Sequence, residues 1–245
     1  MVYMGNIFKK NTSQPTIIKI KYSDIKSQIR PFDLIFFRGS EIISDIISFF
    51  EKKFQNEDKW THVGMVISPD ILNFDVKTSD LYIWESTMSG KLGDGAKKII
   101  GNTFGVQIRN LNDVVQHYDS NKTFIGWSKC KYNPLDKLSD ESETNYIIRK
   151  TSILSNLQIF FDNHKNASYD ANPLHLLSTI FPKLSKHTNT SGISPDLGEK
   201  FFCSELVSSI YIVSHILPSS LDPEEISPVE LLQCGCVENP IYICY

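Results

Sequence analysis

The sequence predicts a single domain of the α+β class. Three observations support this class: short apolar runs bounded by turn residues, apolar positions repeated at three- and four-residue intervals elsewhere, and a length of 245 residues, which suffices for a sizeable core. The strand-like runs dominate the middle of the chain, and helical patterns flank them.

The first elements follow a flexible lead-in, which we predict over residues 1–28. The apolar run 34–37 lies between a proline and a glycine, a setting typical of a buried strand. Apolar residues then recur with helical spacing over 42–54, and Ser40 is available to cap that helix. The main domain is therefore expected over residues 29–245.

Four further apolar segments predict the strands of a central sheet. They are residues 62–67, 81–85, 106–109 and 123–127. A polar connection joins the first two, which favours an antiparallel pair, and a helical turn is predicted at 111–115. The glycine-rich turn at 90–95 lacks the spacing of either nucleotide-binding loop, so it predicts no nucleotide site.

Helical spacing returns in the second half of the chain. A long helix is predicted over 147–161 and a shorter one over 173–180. Residues 182–199 are rich in Ser, Thr, Lys, Gly and Pro, which is typical of a polar surface excursion. Residues 204–217 then form an apolar helical face that is expected to end before Pro218.

Composition excludes some classes of protein. Apolar residues make up 41% and charged residues 22% of the chain, and the net charge of -3 provides no basic surface for nucleic acid. No apolar stretch approaches the roughly 20 residues of a spanning helix, and no secretory signal is recognisable, so a cytoplasmic location is expected. The less favoured alternative is membrane association through myristoylation if translation begins at Met4, although Lys9 stands where Ser or Thr is usual.

The five cysteines indicate neither a disulfide framework nor a metal site. Their number is odd and three of them lie close to the carboxyl end, so reduced thiols are expected. Cys234 and Cys236 are separated by one residue, which is shorter than zinc-ligand spacing, and no second pair follows. We therefore expect no metal site at these cysteines.

One cysteine has a setting that favours nucleophilic chemistry. Cys203 stands where the polar excursion gives way to the last long helix, and a thiolate is stabilised by a helix amino terminus and by a nearby imidazolium. The backbone N–H of the same residue could stabilise an oxyanion. The competing interpretation is a cysteine that is simply buried in the core.

Two residues of neighbouring strands could complete a catalytic triad. His62 opens an apolar strand, where its ring could face a cleft and serve as base and then as acid. Glu85 ends the following apolar strand and could orient that ring. The alternatives are a hydrogen-bonded histidine with no catalytic role and a surface carboxylate at a strand edge.

These segments resemble the permuted papain-like cysteine hydrolases of the NlpC/P60 superfamily, in the branch of YiiX/YaeF-like and poxvirus proteins. The matching segments run in the order His, Glu, Cys and cover the chain from about Arg30 to Leu232. In one departure, Phe32 stands before Asp33 where the family commonly has Gly; in another, the 182–199 excursion is longer than the pattern requires. The matching segments are Asp33-Leu34-Ile35-Phe36-Phe37, Thr61-His62-Val63-Gly64, Glu85, Tyr169-Asp170, Cys203-Ser204-Glu205-Leu206-Val207 and Ile226-Ser227-Pro228-Val229-Glu230-Leu231.

The resemblance implies a circularly permuted papain-like fold, with an antiparallel sheet packed against helices that include the nucleophile helix. It implies that Cys203 attacks an amide or ester carbonyl, with His62 as base and acid and Glu85 as its orienting group. The substrate would be a peptide, another amide or an acyl lipid, and the resemblance implies no metal and no organic cofactor.

Two alternatives stay open on the same fold. One is a thiol acyltransferase or lipid-ester hydrolase, to which the aromatic residues Phe49, Phe50 and Phe54 could supply an acyl groove, although their helical spacing favours the core. The other is a binding module without catalysis.

Overall fold

The protein is built around one large open mixed sheet with helices on both faces. The computed structural model describes residues 18–38, 60–74, 76, 80–87, 98–121, 123–170 and 200–245. Within these residues, the strands are β1 (Ile20–Lys21), β2 (Leu34–Arg38), β3 (His62–Ile67), β4 (Tyr82–Thr87), β5 (Lys98–Gly101), β6 (Gly105–Asn110), β7 (Phe124–Ser128), β8 (Ser168–Tyr169), β9 (Lys200–Phe201) and β10 (Ile241–Cys244).

The strand order is β1-β10-β7-β2-β3-β4-β6-β8-β9, with β5 paired to β6. The pairs β1–β10 and β8–β9 are parallel, and the other pairs are antiparallel, including the predicted pair β3–β4. The α+β class is therefore confirmed, as are all five predicted strands.

Each helix of the described chain covers one face of this sheet. The helices are α1 (Tyr22–Ile25), α2 (Leu111–Ser120), α3 (Glu143–His164), α4 (Cys203–Val213) and α5 (Pro228–Gln233). Strand residues Phe36, Met65 and Trp84 pack with buried residues of α3 and α4, and we call this side the α3–α4 face. Ile35 and Ile83 pack on the opposite side with α1 and α2, which we call the α1–α2 face.

Side-chain caps explain where α2 and α5 begin. The side chain of Asn110 accepts hydrogen bonds from the backbone N–H of Asn112 and Asp113, so α2 starts directly after strand β6. The Ser227 hydroxyl accepts from the Glu230 N–H, and the Glu230 carboxylate accepts from the Ser227 N–H, which forms a capping box. The predicted helical turn at 111–115 is therefore part of a ten-residue helix.

Helix α4 ends four residues earlier than the apolar pattern predicts. The pattern extends to Leu217, but the helix ends at Val213. His215 has a φ of 60°, in the left-handed region, and the N–H groups of Ile216 and Leu217 both donate to the Tyr211 carbonyl. This left-handed ending satisfies the last helical carbonyls and turns the chain away, so periodicity alone overestimates the helix length.

The predicted flexible lead-in over 1–28 differs from the structure in its second half. Strand β1 pairs with β10, and Tyr22 and Ile25 of α1 are buried on the α1–α2 face. A short 3-10 turn follows at Lys26–Gln28. The predicted features at 42–54, 90–95, 173–180 and 182–199 lie outside the described residues.

The cysteines differ from the prediction at one place. Cys234 and Cys236 form a disulfide, whereas Cys130, Cys203 and Cys244 are free thiols. Gly235 between the bonded pair has a φ of 81°, and this left-handed turn brings the two flanking residues to the same side. The expectation of reduced thiols is therefore wrong for that pair.

Candidate active site

The candidate site centres on a carboxylate that is buried within the sheet. Glu85 of β4 has no exposed surface, and its two oxygens have different partners. The Oε2 atom lies 2.6 Å from Nε2 of His62, and Oε1 accepts a hydrogen bond of 2.7 Å from Nε of Arg109. The Glu85 side chain thus joins β3 to β6, with the His62 ring at one oxygen and the Arg109 guanidinium at the other.

A glycine makes room for this carboxylate. A Cβ atom at Gly64 would lie 2.6 Å from Cδ1 of Ile83 and 3.0 Å from Cβ of Glu85. Both distances are shorter than ordinary van der Waals contact, so a side chain at this position would displace Glu85 or Ile83. The glycine two residues after His62 therefore allows the close approach of strands β3 and β4.

The imidazole of His62 connects the carboxylate to the cysteine. Its Nε2 faces Glu85, so Nδ1 is the ring nitrogen that remains for the hydrogen bond with Cys203. Burial by itself would lower the pKa of His62. The Cys203 charge and hydrogen bond, together with Glu85, outweigh burial and raise that pKa to about 9. The protonated imidazole is therefore favoured at neutral pH when Cys203 is ionised.

Arg109 keeps Glu85 ionised although the carboxyl group is buried. Burial would raise the pKa of Glu85, but the Arg109 charge and the His62 hydrogen bond outweigh burial and lower it. Arg109 is itself 1% exposed, and its guanidinium reaches the Tyr118 hydroxyl of α2 at 3.4 Å. Arg109, Glu85 and His62 are therefore linked in one buried series of contacts.

The cysteine is the first residue of α4. Cys203 is 6% exposed, and α4 packs against β3 and β4 next to the site. The Ser86 hydroxyl donates to the Phe201 carbonyl at 2.7 Å, which ties the segment before the helix to the end of strand β4. The sulfur thus lies near backbone N–H groups at a helix amino terminus, where negative charge is stabilised.

Tyr169 contacts the segment that leads into Cys203. Strand β8 pairs Tyr169 with Phe201, and the tyrosine ring contacts the ring of Phe202 edge-on with 6.0 Å between centroids. Burial is the main cause of the raised pKa of Tyr169, and the charges of Cys203 and Asp170 add to it. The Tyr-Asp pair is therefore held next to the two residues that precede Cys203.

Asp33, another carboxylate in the segments that carry the resemblance, lies away from Cys203. It is 1% exposed and accepts hydrogen bonds from the N–H groups of Arg30 and Cys130 and from Nε1 of Trp127. Phe32 has a φ of 71°, which is unfavourable for any residue except glycine, and its side chain is fully buried. A glycine at this position would fit that backbone without strain.

The structure brings together the three residues that the sequence predicts, namely His62, Glu85 and Cys203. It adds Arg109, which sequence analysis treated only as the end of a strand. The partner of Arg109 depends on the register between β4 and β6, which no local pattern of the sequence indicates. Tyr169 was noted only through the family resemblance.

Comparisons with known proteins add no further identification. The chain matches no family model, and no curated protein matches it. Among the described residues, no group of three or more His, Cys, Asp or Glu side chains is arranged to hold a metal ion. In the same residues, no helix is long and apolar enough to cross a bilayer.

Proposed function

We propose that this protein is a cysteine hydrolase with a circularly permuted papain-like fold of the NlpC/P60 type, and that it cleaves an amide or ester bond. The observation that carries the proposal is the buried chain of contacts from Glu85 through His62 to Cys203. A histidine between a carboxylate and a thiol has the geometry of nucleophilic catalysis. The order of these residues along the chain also supports the permuted fold.

The first chemical step is acylation of the cysteine. The Sγ atom of Cys203 attacks the substrate carbonyl carbon, and the backbone N–H of Cys203 stabilises the oxyanion. The carbon–nitrogen or carbon–oxygen bond then breaks as His62 gives the Nδ1 proton to the leaving group. A thioester with Cys203 remains, and the leaving amine or alcohol departs.

The second step returns the enzyme to its starting state. His62, now neutral, takes a proton from water, and the resulting hydroxide attacks the thioester carbonyl. The carbon–sulfur bond breaks, the thiolate of Cys203 re-forms beside the protonated imidazole, and a carboxylic acid product leaves. Glu85 holds the ring through both steps by its hydrogen bond to Nε2.

A thiol acyltransferase would share the first step and use another acceptor in the second. The aromatic residues Phe49, Phe50 and Phe54, which could line an acyl groove, lie outside the described residues. Among the described residues no observation favours acyl transfer, so hydrolysis is the function that we propose. A binding module with the same fold would form no thioester at all.

The first test is the pH dependence of iodoacetamide alkylation, mapped to each cysteine by mass spectrometry. Cys130 is a matched internal control because it is 4% exposed against 6% for Cys203, and burial is the main cause that raises its pKa to about 11. We expect Cys203 to react at pH 6 at least about 100-fold faster than Cys130, and His62→Ala to slow it about tenfold or more.

The second test looks for the thioester itself. Incubation with a small panel of p-nitrophenyl esters should add the acyl mass to Cys203, followed by loss of that mass with time, and Cys203→Ser should abolish both the adduct and its turnover. Alkylation of Cys203 no faster than that of Cys130, or equal in folded His62→Ala protein, would overturn the proposal. Fast alkylation without any thioester would favour a binding module.

A further inference from the structure

We infer that Arg109 is a positioning residue that holds the Glu85 carboxylate anionic and aimed at His62. The inference rests on the proposed function and extends it to a residue that does not contact the reacting atoms. Arg109 acts through Glu85, since it lies on β6 and the carboxylate of β4 stands between its guanidinium and His62.

The geometry divides the carboxylate between two cations. The Arg109 atoms Nε and NH2 both lie against Oε1 of Glu85, at 2.7 Å and 2.5 Å. The other oxygen is left for Nε2 of His62 at 2.6 Å. Because two donors of one planar guanidinium hold Oε1, rotation of the carboxylate is restricted and Oε2 keeps its direction toward the histidine.

The guanidinium is in turn held from behind. Its NH2 group donates to the Tyr118 hydroxyl at 3.4 Å, and its central carbon lies 5.8 Å from the centroid of the Tyr118 ring. Tyr118 belongs to α2, whose cap Asn110 is the residue next to Arg109. The arginine is therefore fixed between a strand and the helix that begins directly after it.

The charge of Arg109 has a definite effect on the site. Two ionisable groups contact the Glu85 carboxylate directly, His62 from β3 and Arg109 from β6. Two more lie one contact further away: Tyr118 of α2 behind the arginine, and Cys203 of α4 beyond the histidine. Without Arg109, burial would dominate and favour protonation of Glu85. A neutral Glu85 would no longer stabilise the imidazolium of His62, so the ion pair with Cys203 would weaken.

The test measures the alkylation rate of Cys203 between pH 5 and pH 9 in the full chain. We expect Arg109→Gln to lower the rate at pH 6 about tenfold and to move the rise of the profile upward by about one pH unit. Arg109→Lys keeps the charge and should lie between Arg109→Gln and the wild type. Arg149→Gln is the matched control, because Arg149 also pairs with a glutamate, Glu141, away from the site, and we expect no shift of the profile.

A double-substitution cycle separates positioning from a merely structural role. If Arg109 acts through Glu85, then adding Arg109→Gln to Glu85→Gln should change the Cys203 profile no further than Glu85→Gln alone does. The double variant contains no unpaired buried charge, so it also serves as the test if Arg109→Gln by itself does not fold.

Each outcome decides the inference. The role of Arg109 would be overturned if folded Arg109→Gln gave the wild-type profile. It would also be overturned if the alkylation rate of Cys203 in the double variant differed more than threefold from that in Glu85→Gln. Either result would leave the proposed function intact. If wild-type Cys203 reacts no faster than Cys130, the proposed function fails and the inference fails with it.

Discussion

Two buried carboxylates of the protein, Asp33 and Glu85, each lie near a cysteine, and their surroundings give them opposite properties. Asp33 receives three hydrogen bonds from neutral donors, two backbone N–H groups and an indole. Glu85 receives its hydrogen bonds from an arginine and a histidine. Burial dominates at Asp33 and raises its pKa, whereas the cations dominate at Glu85 and lower its pKa.

The two cysteines follow the same division. Cys130 lies near Asp33 and Tyr211, and burial is the main cause of its raised pKa of about 11. Cys203 lies beside the imidazole of His62 at the start of a helix. Similar burial therefore leads to a structural thiol in one region and to a candidate nucleophile in the other, and the difference lies in which neighbours carry charge.

The largest expected effect that distinguishes the regions is on stability. Asp33→Ala should lower the free energy of unfolding by about 3 kcal/mol, since three buried donors lose their acceptor. Denaturant unfolding measures this, with Asp136→Ala as control, because the pair of Asp136 with Arg30 is solvent-exposed and should contribute less than about 1 kcal/mol. Cys203 alkylation in the folded fraction should not change. If Asp33→Ala slowed the alkylation of Cys203 as much as Glu85→Gln does, the proposed difference between the two regions would be contradicted.

A smaller effect on stability is expected at Gly64, which packs closely against Ile83 and the Glu85 side chain. Gly64→Ala should lower the free energy of unfolding by about 2 kcal/mol, because the added methyl group overlaps Ile83 and crowds Glu85. It should also slow alkylation of Cys203, since Glu85 must move. Gly235→Ala strains a left-handed glycine that has open space around it, so it should cost stability without slowing alkylation. Equal alkylation rates in the two variants would mean that Glu85 tolerates displacement.

The smallest effect concerns the protonation of one histidine. In protein labelled at its histidines, nuclear magnetic resonance should detect His62 titrating near pH 9, and Cys203→Ala should lower that midpoint by about one unit or more. The reason is that the substitution removes the sulfur charge and hydrogen bond, the larger of the two contributions that raise the pKa of His62. If Cys203→Ala left the midpoint of His62 unchanged, the sulfur would be too far from the imidazole to affect its pKa.

Sequence periodicity was sufficient for the central part of the sheet. Strands β2, β3, β4, β6 and β7 are runs of buried residues, so their patterns predict both their existence and their approximate bounds. Strands β1, β8 and β9 have two residues each, too few for any period to be seen. They exist because of their partners, and no local pattern indicates them.

The sequence predicted the site residues whose roles follow from their residue type. It missed the residue whose role depends on the register between two strands. His62, Glu85 and Cys203 were identified as a base, an orienting group and a nucleophile from their predicted positions at the ends of elements, although strand β4 continues two residues beyond Glu85 to Thr87. The role of Arg109 follows from the pairing of β4 with β6, in which Ile83 lies opposite Arg109 two positions from Glu85. Sequence alone does not define that register, so it could not identify Glu85 as the partner of Arg109.

The pairing of β1 with β10 has a consequence for synthesis on the ribosome. Strand β1 lies against β10, whose residues are made more than two hundred positions later, so β1 cannot join the sheet until almost the whole described chain has emerged. His62, Glu85 and Arg109 belong to strands made much earlier, and their sheet could assemble first. These three strands would then be paired before α4, which carries Cys203, has been synthesised, so the sulfur would be among the last parts of the candidate site to reach its position.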